Sequence, residues 1–373
     1  MRSHSSASYG VHRARHWRCN MAITVSNAAA RWGWGFLLAV IVLGASEECN
    51  AQSVAVFQSR RVIELPAEGS RRERSVVTTV AVSADGSLLA AGGDDHVVRV
   101  WQASDGVLRH ALRGHTDWVR TVAFSRDGET LVSAGDDRVI RFWSVADGQL
   151  HHELAEAKRA VYCLAFSPDQ ALLAAAGFEP TVRLYDVATH RLARQLEYPD
   201  NDVRAVCFSN SGRRFAAGGR DGSIRIWNLP EGTIHLKFPG HEQRIRALEF
   251  SEDERLLASA GEGRKIRIWD AQRGEEMAAL LTRPGKVMSL AFCGAGRLAV
   301  GDTENMVHIW NVASEQEEMQ LVGHTGSVAA LAYAPATGTL VSGSFDTTIR
   351  LWELNRDPSG DMVRQPQTPI LPR

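Results

Sequence analysis

Serine, histidine and aspartate occur at one fixed spacing in two separate parts of the sequence. Counted from the histidine, the serine follows after 18 residues, the aspartate after 22 and a tryptophan after 28. Serine, histidine and aspartate can form the catalytic set of a hydrolase, in which histidine accepts the proton of the serine hydroxyl. An active site rarely occurs twice in one chain, however, so the repetition favours a structural role. The two sets are His115, Ser133, Asp137 and Trp143, and His324, Ser342, Asp346 and Trp352.

The first set is carried by the stretch from Gly114 to Trp143. This stretch contains three short runs of β-forming residues, VRTVAF, TLVSA and VIRFW, which are separated by the turn-forming segments RDGE and GDD. The pattern predicts a three-stranded antiparallel meander with tight turns. A single meander is marginally stable in water, because it cannot bury both of its faces. The stretch therefore requires neighbours of its own kind.

Copies of this meander recur along the chain at a nearly constant period. The aromatic residue that ends each copy is 42 residues from the next one, except for a single spacing of 41. A period of about 40–45 residues is typical of the four-stranded blade of a β-propeller. The one-residue deletion falls in the sixth copy, after Phe292. The seven aromatic residues are Trp101, Trp143, Tyr185, Trp227, Trp269, Trp310 and Trp352.

The copies resemble the WD-repeat (WD40) family of β-propellers over residues 60–354. The Gly-His pair of that family appears at 114–115, 240–241 and 323–324. Its Trp-Asp pair is complete at Trp269-Asp270 and nearly so at Tyr185-Asp186. The resemblance implies an all-β chain that forms a seven-bladed β-propeller. With its N-terminal segment, the chain is similar to exported bacterial members of the family.

In that family, the two Ser/His/Asp/Trp sets resemble a structural tetrad. The carboxylate accepts a hydrogen bond from the imidazole, the imidazole from the hydroxyl, and the hydroxyl from the indole, so each buried polar group has a partner. The other blades depart from this pattern, and we expect the third and sixth to be the least protected. In one blade, Gly263 replaces the acid beside His241 and Ser259. In two others, Asp95 and Asp221 are present but the histidine and the serine are missing. In the remaining two, Glu179 and Glu304 stand where aspartate is expected.

Closure of the ring requires a strand from the start of the propeller. Seven blades need seven outer strands, but the sequence after Trp352 is proline-rich and cannot form one. We therefore expect residues 61–65, RVIEL, to complete the last blade, because an open ring would expose strand edges. The loop that follows contains Arg71, Arg72 and Arg74, and residues 355–373 are predicted to be a disordered tail.

The first 51 residues do not belong to the repeats. Arginines precede an apolar run from Phe36 to Ala45, and the segment ends in Cys-Asn-Ala at 49–51. This order predicts a secretory signal cleaved near Ala51, which would place the mature chain in the periplasm or outside the cell. A retained N-terminal membrane anchor and a cytoplasmic chain are the alternatives, and Met21 is an alternative start to Met1.

Charge and composition argue against several other classes. Residues 1–51 contain five of the 42 basic and two of the 43 acidic residues, so the remainder has a net charge of −4. This balance does not resemble that of a nucleic-acid binder. The sequence has no nucleotide-binding glycine motif and no Cys-x-x-Cys, and we predict neither a metal nor a cofactor. Cys163, Cys207 and Cys293 are expected to be free thiols. The arginine two residues before most of the repeat aromatics is expected to pack its stem and solvate its head.

One face of the predicted propeller has the composition of a binding site. The loops into the innermost strands and the turns between second and third strands emerge there. Aromatic residues in such polar turns have no evident folding role, and arginines are expected on the opposite side of the ring, a combination typical of interaction hot spots. Local packing of each ring on its own loop is the alternative. The predicted partner-binding residues are Trp118, Asp136, Phe178, Arg220, Arg244, Lys286 and Phe345.

The sequence therefore predicts a monomeric, non-catalytic scaffold that binds a protein or peptide across this face. The alternative is a propeller enzyme or small-ligand binder that uses the central channel. That alternative would require histidine and carboxylate side chains converging near the axis, and the sequence shows no such cluster.

Overall fold

The computed structural model describes residues 54–66, 75–199, 202–229, 231–281, 285–294 and 296–354. All of them lie within one compact unit, Gln52–Arg373. They form 29 β-strands, and among them no helix is long and apolar enough to cross a membrane. The predictions for residues 1–51, for Arg71, Arg72 and Arg74, and for residues 355–373 concern parts of the chain outside the described residues.

The strands form seven sheets, which are the seven blades of an all-β propeller. Within each blade the strands of the repeat pair in an antiparallel meander, as the sequence predicts. Blade one contains β3 (Val77–Val82), β4 (Leu88–Gly93), β5 (Val97–Gln102) and β6 (Leu108–Arg113); blade two β7 (Val119–Phe124), β8 (Thr130–Gly135), β9 (Ile140–Ser144) and β10 (Leu150–Leu154); blade three β11 (Val161–Phe166), β12 (Leu172–Gly177), β13 (Thr181–Asp186) and β14 (Arg191–Glu197); blade four β15 (Val203–Phe208), β16 (Arg214–Gly219), β17 (Ser223–Asn228) and β18 (Thr233–Pro239); blade five β19 (Ile245–Phe250), β20 (Leu256–Gly261), β21 (Lys265–Asp270) and β22 (Glu276–Leu281); blade six β23 (Val287–Phe292), β24 (Arg297–Asp302), β25 (Val307–Asn311), β26 (Gln316–Val322) and β1 (Ala55–Gln58); and blade seven β27 (Val328–Ala334), β28 (Thr339–Ser344), β29 (Thr348–Glu353) and β2 (Arg61–Glu64).

The second strand of each blade is almost completely buried. In β4, β8, β12 and their counterparts, every residue after the first is buried, and most are alanine, valine, leucine or glycine. Such strands are covered on both faces, so they are nearly continuous in apolar residues and lack the alternation of a half-exposed strand. The outer strands, such as β6, are largely exposed. Small side chains in the second strands therefore allow neighbouring blades to pack closely.

The apolar core is divided among the interfaces between blades. One buried cluster joins blades one and two through Val98, Val119 and Trp143. A second joins blades seven and one through Ile349 and Val77. Five further clusters occupy the remaining interfaces. Since each blade buries its faces against its two neighbours, the ring is stabilised by its circular continuity.

The N-terminal strands tie the two ends of the ring together. Strand β2 pairs antiparallel with β29, with Val62 opposite Arg350 and Ile63 opposite Ile349. The preceding strand β1, which the sequence analysis did not predict, adds to blade six as a parallel fifth strand, with Phe57 opposite Leu321. One short segment therefore crosses from blade six to blade seven and covers the outer edges of both.

Candidate functional site

The two predicted Ser/His/Asp/Trp sets form continuous hydrogen-bond chains inside blades two and seven. In blade two, Trp143 Nε1–H donates to Ser133 Oγ at 2.8 Å, and the serine hydroxyl donates to His115 Nε2 at 2.7 Å. The imidazole Nδ1–H then donates to Asp137 Oδ2 at 2.8 Å. Ser133 is fully buried. Because the hydroxyl is inaccessible and already engaged on both sides, it is unsuited to attack a substrate.

The set in blade seven has the same geometry. Trp352 donates to Ser342 at 2.8 Å, the serine to His324 Nε2 at 2.7 Å, and His324 Nδ1 to Asp346 at 2.9 Å. Burial alone would raise the pKa of Asp346, but hydrogen bonds from His324 and Thr348 lower it well below its usual value. The carboxylate is therefore charged at neutral pH and holds the imidazole in place.

The recurring arginine belongs to these networks, so the predicted solvated head is wrong for several blades. Arg141 donates to Asp137 Oδ2 at 2.6 Å, and its side chain is 7% exposed. Burial on its own raises the pKa of Asp137, but His115 and Arg141 together lower it to about 2. In blade one, Arg99 is equally inaccessible and pairs with Asp95 at 2.6 Å. The arginine therefore supplies the positive charge where histidine and serine are missing.

Blades three and four replace the missing histidine in different ways. In blade three, Arg183 contacts Glu179 at 2.5 Å. In blade four, the buried Tyr198 donates its hydroxyl to Asp221 Oδ1 at 3.0 Å. Each solution provides a donor for the acid from a different position in the repeat.

Blade five contains the histidine and serine but no acid. His241 Nε2 accepts from Ser259 at 2.7 Å, and Trp269 donates to the same hydroxyl at 2.7 Å. Burial and the nearby Arg267 lower the pKa of His241 to about 4. This imidazole is therefore neutral near pH 7, and it lacks the acid partner found in blades two and seven.

Blade six corrects one prediction made from the sequence. Glu304, expected to occupy the acid position, is exposed, whereas Asp302 is buried. Asp302 Oδ2 lies 3.2 Å from His308 Nε2, and His308 Nδ1 lies 2.6 Å from Glu317. Burial lowers the pKa of His308, but the two acids outweigh it and the net shift is upward. Asp302 is the last residue of β24 and occupies the position that Gly135 has in β8, two residues before the predicted acid.

The predicted partner-binding residues are positioned by backbone hydrogen bonds that repeat around one face. In each case the turn between the second and third strands donates to the loop that enters the innermost strand. Asp136 N–H donates to Trp118 O at 3.0 Å, and Phe345 N–H donates to Ser327 O at 3.0 Å. The remaining pairs are Phe178 with Ala160, Arg220 with Asp202, Glu262 with Arg244, and Thr303 with Lys286.

Rings and guanidinium groups alternate across part of this face. The Arg120 guanidinium lies 4.5 Å from the Trp118 ring centre and 5.1 Å from that of Tyr162. Arg204 lies 3.6 Å from the Tyr162 ring and 4.8 Å from that of Phe178, and the two rings meet edge to face at 5.1 Å. We call these five residues the aromatic–arginine arc; it extends from blade two to blade four.

Asp136 anchors the arc at its blade-two end. Arg120 binds this carboxylate through Nε, at 3.1 and 3.0 Å, and through Nη2 at 2.5 Å. A forked contact of this kind fixes the plane of the guanidinium, so its faces remain available to the neighbouring rings. Trp118 is 36% exposed at the edge of the arc.

Four arginines and two acids continue the arc into blades four and five. Arg204, Arg220 and Arg244 surround the buried Asp202, with the last two at 3.3 and 3.0 Å. Glu262 accepts from Arg244 at 3.0 Å and from Arg246 at 2.8 Å. We call these six residues the arginine cluster: Arg204, Arg220, Arg244, Arg246, Asp202 and Glu262.

The structure brings together some of the predicted residues and separates others. Phe178 is half-buried, so the prediction of an exposed ring is wrong; it packs on Tyr162 of its own blade. Arg220 and Arg244 adjoin the aromatic residues through Arg204 and do not lie on the opposite side of the ring. Phe345 is 41% exposed on blade seven, and Lys286 is exposed on blade six.

Sequence reasoning missed the residues that connect the aromatic–arginine arc with the arginine cluster. Arg120, Tyr162, Arg204 and Arg246 are the second residues of β7, β11, β15 and β19. A comparison of this one position around the ring would have shown the asymmetry. In blades six, seven and one it is occupied by the uncharged residues Met288, Ala329 and Thr78.

Among the described residues, no group of three or more histidine, cysteine, aspartate or glutamate side chains has an arrangement that could hold a metal ion. His152 stacks on His190 with ring centres 4.1 Å apart. The thiols of Cys163, Cys207 and Cys293 are free. Burial raises the pKa of Cys163 and of Cys293 to about 12, so these thiols are not reactive near neutral pH.

Comparisons with known proteins agree with this architecture. The curated relatives match in short segments, and the chain covers no more than 14% of the length of any of the three described next. A 69-residue segment is 41% identical to the Periodic tryptophan protein 2 homolog of Neurospora crassa, covering 18% of this chain and 8% of that protein. A 64-residue segment is 41% identical to Ribosome biogenesis protein YTM1 of Eremothecium gossypii, covering 17% and 14%. A 41-residue segment is 54% identical to the Probable serine/threonine-protein kinase PkwA of Thermomonospora curvata, covering 11% and 6%.

The sequence profile described as "WD domain, G-beta repeat" matches six stretches that together make up more than half of the chain. They are residues 67–102, 106–144, 148–186, 191–228, 232–270 and 315–353. With seven blades and the repeated Ser/His/Asp/Trp hydrogen-bond sets in two of them, the chain belongs to the WD40 repeat family.

Proposed function

We propose that this protein is a non-catalytic scaffold that binds a protein or peptide partner across the face bearing the aromatic–arginine arc. The observation that carries the proposal is the arc itself. Three rings and two guanidiniums from blades two, three and four stack at 3.6 to 5.1 Å. Membership of the WD40 family supports it, because the fold presents its loops around a rigid ring.

The arc has the physical properties of an interaction hot spot. Tryptophan, tyrosine and arginine are the residues that most often dominate the energy of protein interfaces. Here the guanidinium of Arg120 is held between the Trp118 and Tyr162 rings and forked onto Asp136, so little side-chain entropy remains to be lost on binding. A preorganised surface of this kind favours a partner over solvent.

The alternative of catalysis in the channel receives less support from the geometry. The serines of the tetrads are buried, and each one is hydrogen-bonded to both tryptophan and histidine. The second residues of the innermost strands contribute arginine and tyrosine in blades two to five. This set can bind and orient a partner, but general acid–base work requires groups that titrate near neutrality.

A capture experiment with matched variants tests the proposal. We expect Trp118→Ala to lose specific partners from a pull-down followed by quantitative mass spectrometry. Leu150→Ala is the control, because Leu150 is a similarly exposed apolar residue on an outer strand, away from this face. Phe345→Ala, tested separately, shows whether blade seven belongs to the same surface. An unchanged set of partners in the Trp118 variant would contradict the proposal.

We also propose that the protein is exported, with cleavage near Ala51. The basic N-terminal segment, the apolar run from Phe36 to Ala45 and the Cys-Asn-Ala ending support this proposal. Mass spectrometry of the native N-terminus provides the test. A mature chain that begins near Gln52 is expected, and an intact N-terminal segment would contradict cleavage and favour a retained anchor or a cytoplasmic chain.

A further inference from the structure

We propose that the arginine cluster is a carboxylate-binding site, and that the partner segment which docks on this face is an acidic peptide with apolar side chains. The inference rests on the proposed function and assigns the chemistry of the partner. Acidic side chains would bind the cluster on blades four and five. Apolar side chains would contact the adjoining rings on blades two and three.

The cluster carries an excess of positive charge. Asp202, whose side chain is 2% exposed, is shared by Arg204, Arg220 and Arg244. Glu262 is shared by Arg244 and Arg246. Four guanidiniums thus face two carboxylates. The local charge is therefore positive, although the chain beyond residue 51 has a net charge of −4.

The hydrogen-bonding capacity of the cluster is incompletely used. Arg220 has a 61% exposed side chain and reaches Asp202 through Nε alone at 3.3 Å. The Nε groups of Arg244 and Arg246 are buried and have no hydrogen-bond partner among the described residues. Because those Nε atoms are closed to solvent, an additional acceptor would bind the exposed Arg220 through its Nη groups. A carboxylate suits them because guanidinium binds it through two parallel hydrogen bonds.

The neighbouring surface favours a peptide over other anionic partners. Arg204 belongs to both surfaces, since it binds Asp202 and stacks on Tyr162 and Phe178. A segment lying across blades two to five would meet guanidiniums and rings in succession. A nucleic acid would require an extended basic surface, whereas here the carboxylates of Asp136, Asp202 and Glu262 lie among the guanidiniums and the chain beyond residue 51 is net acidic.

Fluorescence anisotropy with labelled peptides and the full chain tests this inference. The probes are a flexible peptide of glycine, glutamate and leucine, the same peptide with glutamine for glutamate, and the same peptide with lysine for glutamate. We expect the glutamate peptide to bind, the glutamine peptide to bind more weakly, and added salt to weaken binding. Arg220→Ala should reduce the affinity for the glutamate peptide about tenfold, because a charge-assisted hydrogen bond is lost.

Arg255→Ala is the matched control. It makes the same charge change on the opposite face, in the turn between β19 and β20, where the Arg255 side chain is 85% exposed. Thermal melts of both variants establish that each is folded. Arg220→Lys, which keeps the charge but loses the fork, is expected to bind with intermediate affinity.

The outcomes separate this inference from the proposed function. If Trp118→Ala weakens peptide binding while Arg220→Ala matches Arg255→Ala, the face binds peptides but the acidic assignment is wrong. If neither Trp118→Ala nor Arg220→Ala changes binding, the face itself is not used and both proposals fail. Failure of the glutamate peptide to bind, or tighter binding of the lysine peptide or of a single-stranded oligonucleotide, would overturn the acidic-peptide assignment.

Discussion

The role of the blade-two network can be tested by neutralising Asp137 and following stability against pH. Asp137 accepts hydrogen bonds from His115 at 2.8 Å and from Arg141 at 2.6 Å, and it also accepts from the backbone N–H of Val139 at 3.2 Å. Asp137→Asn removes the charge and keeps the shape. Asp137→Ala also removes the acceptor and leaves Arg141 without one of its partners.

The magnitude follows from the pKa of the carboxyl. A fall from the ordinary 3.8 to about 2 corresponds to about 2 kcal/mol of stabilisation, which screening by nearby solvent reduces to about 1–2 kcal/mol. Because the folded-state pKa is lowered, this stabilisation is fully present above the ordinary pKa and is lost as the pH falls through about 2. Asp137→Ala should cost about 3 kcal/mol, since it leaves buried donors unpaired.

Urea denaturation followed by tryptophan fluorescence provides the measurement. The free energy of unfolding of Asp137→Asn should lie below that of the wild type by a constant amount from about pH 7 to about pH 5, and the difference should narrow between about pH 4 and pH 2. Asp105→Asn is the control, since Asp105 is exposed in a turn and accepts the backbone N–H of Val107. A difference independent of pH, or none at all, would refute the argument.

Two further predictions concern single acids. Gly263→Asp should restore the missing acid beside His241, because a Cβ atom at Gly263 would meet no atom within 4 Å. Compared with Gly263→Ala, it should raise the free energy of unfolding by about 1–2 kcal/mol in urea denaturation. Equal stability of the two variants would count against it. Glu249 accepts from Phe292 N–H at 2.8 Å, and burial raises its pKa from 4.5 to about 8. Folding favours the protonated carboxyl, so the stability of the wild type should decline relative to Glu249→Gln as the pH rises from 4.5 to about 8. Parallel pH profiles of the two proteins in thermal melts would contradict this prediction.

The blades could be predicted from the sequence because their signals are local and repeated. Short runs of β-forming residues, Asp-Gly turns and an aromatic at a period of 41 or 42 residues specify strand, turn and register together. Strand β1 carried no such signal. Its four residues, AVFQ, are joined to blade six by parallel pairing, which is not marked by a hairpin turn.

The aromatic–arginine arc and the burial of the recurring arginines were not predicted from the sequence, for two different reasons. Arg120 and Tyr162 are 42 residues apart, and their contact depends on the spacing between neighbouring blades, which the pattern of one blade does not contain. The buried arginines did leave a signal, since acid and arginine are four residues apart in the pairs Asp95–Arg99 and Asp137–Arg141. Both residues flank one tight turn, so their side chains meet on the same face of the hairpin.

The aspartate in the turn between the second and third strands explains how the polar networks can differ while the blades remain alike. In blades one, two, four and seven, one carboxylate oxygen accepts the backbone N–H two residues further on, at 3.0 to 3.2 Å. This local bond stabilises the turn before any tertiary partner is considered. The remaining capacity of the acid is then met by Arg99 in blade one, by His115 and Arg141 in blade two, and by Tyr198 in blade four. Because the carboxylate stabilises its turn through this backbone hydrogen bond alone, the histidine and serine can be replaced in one blade while the blade still forms.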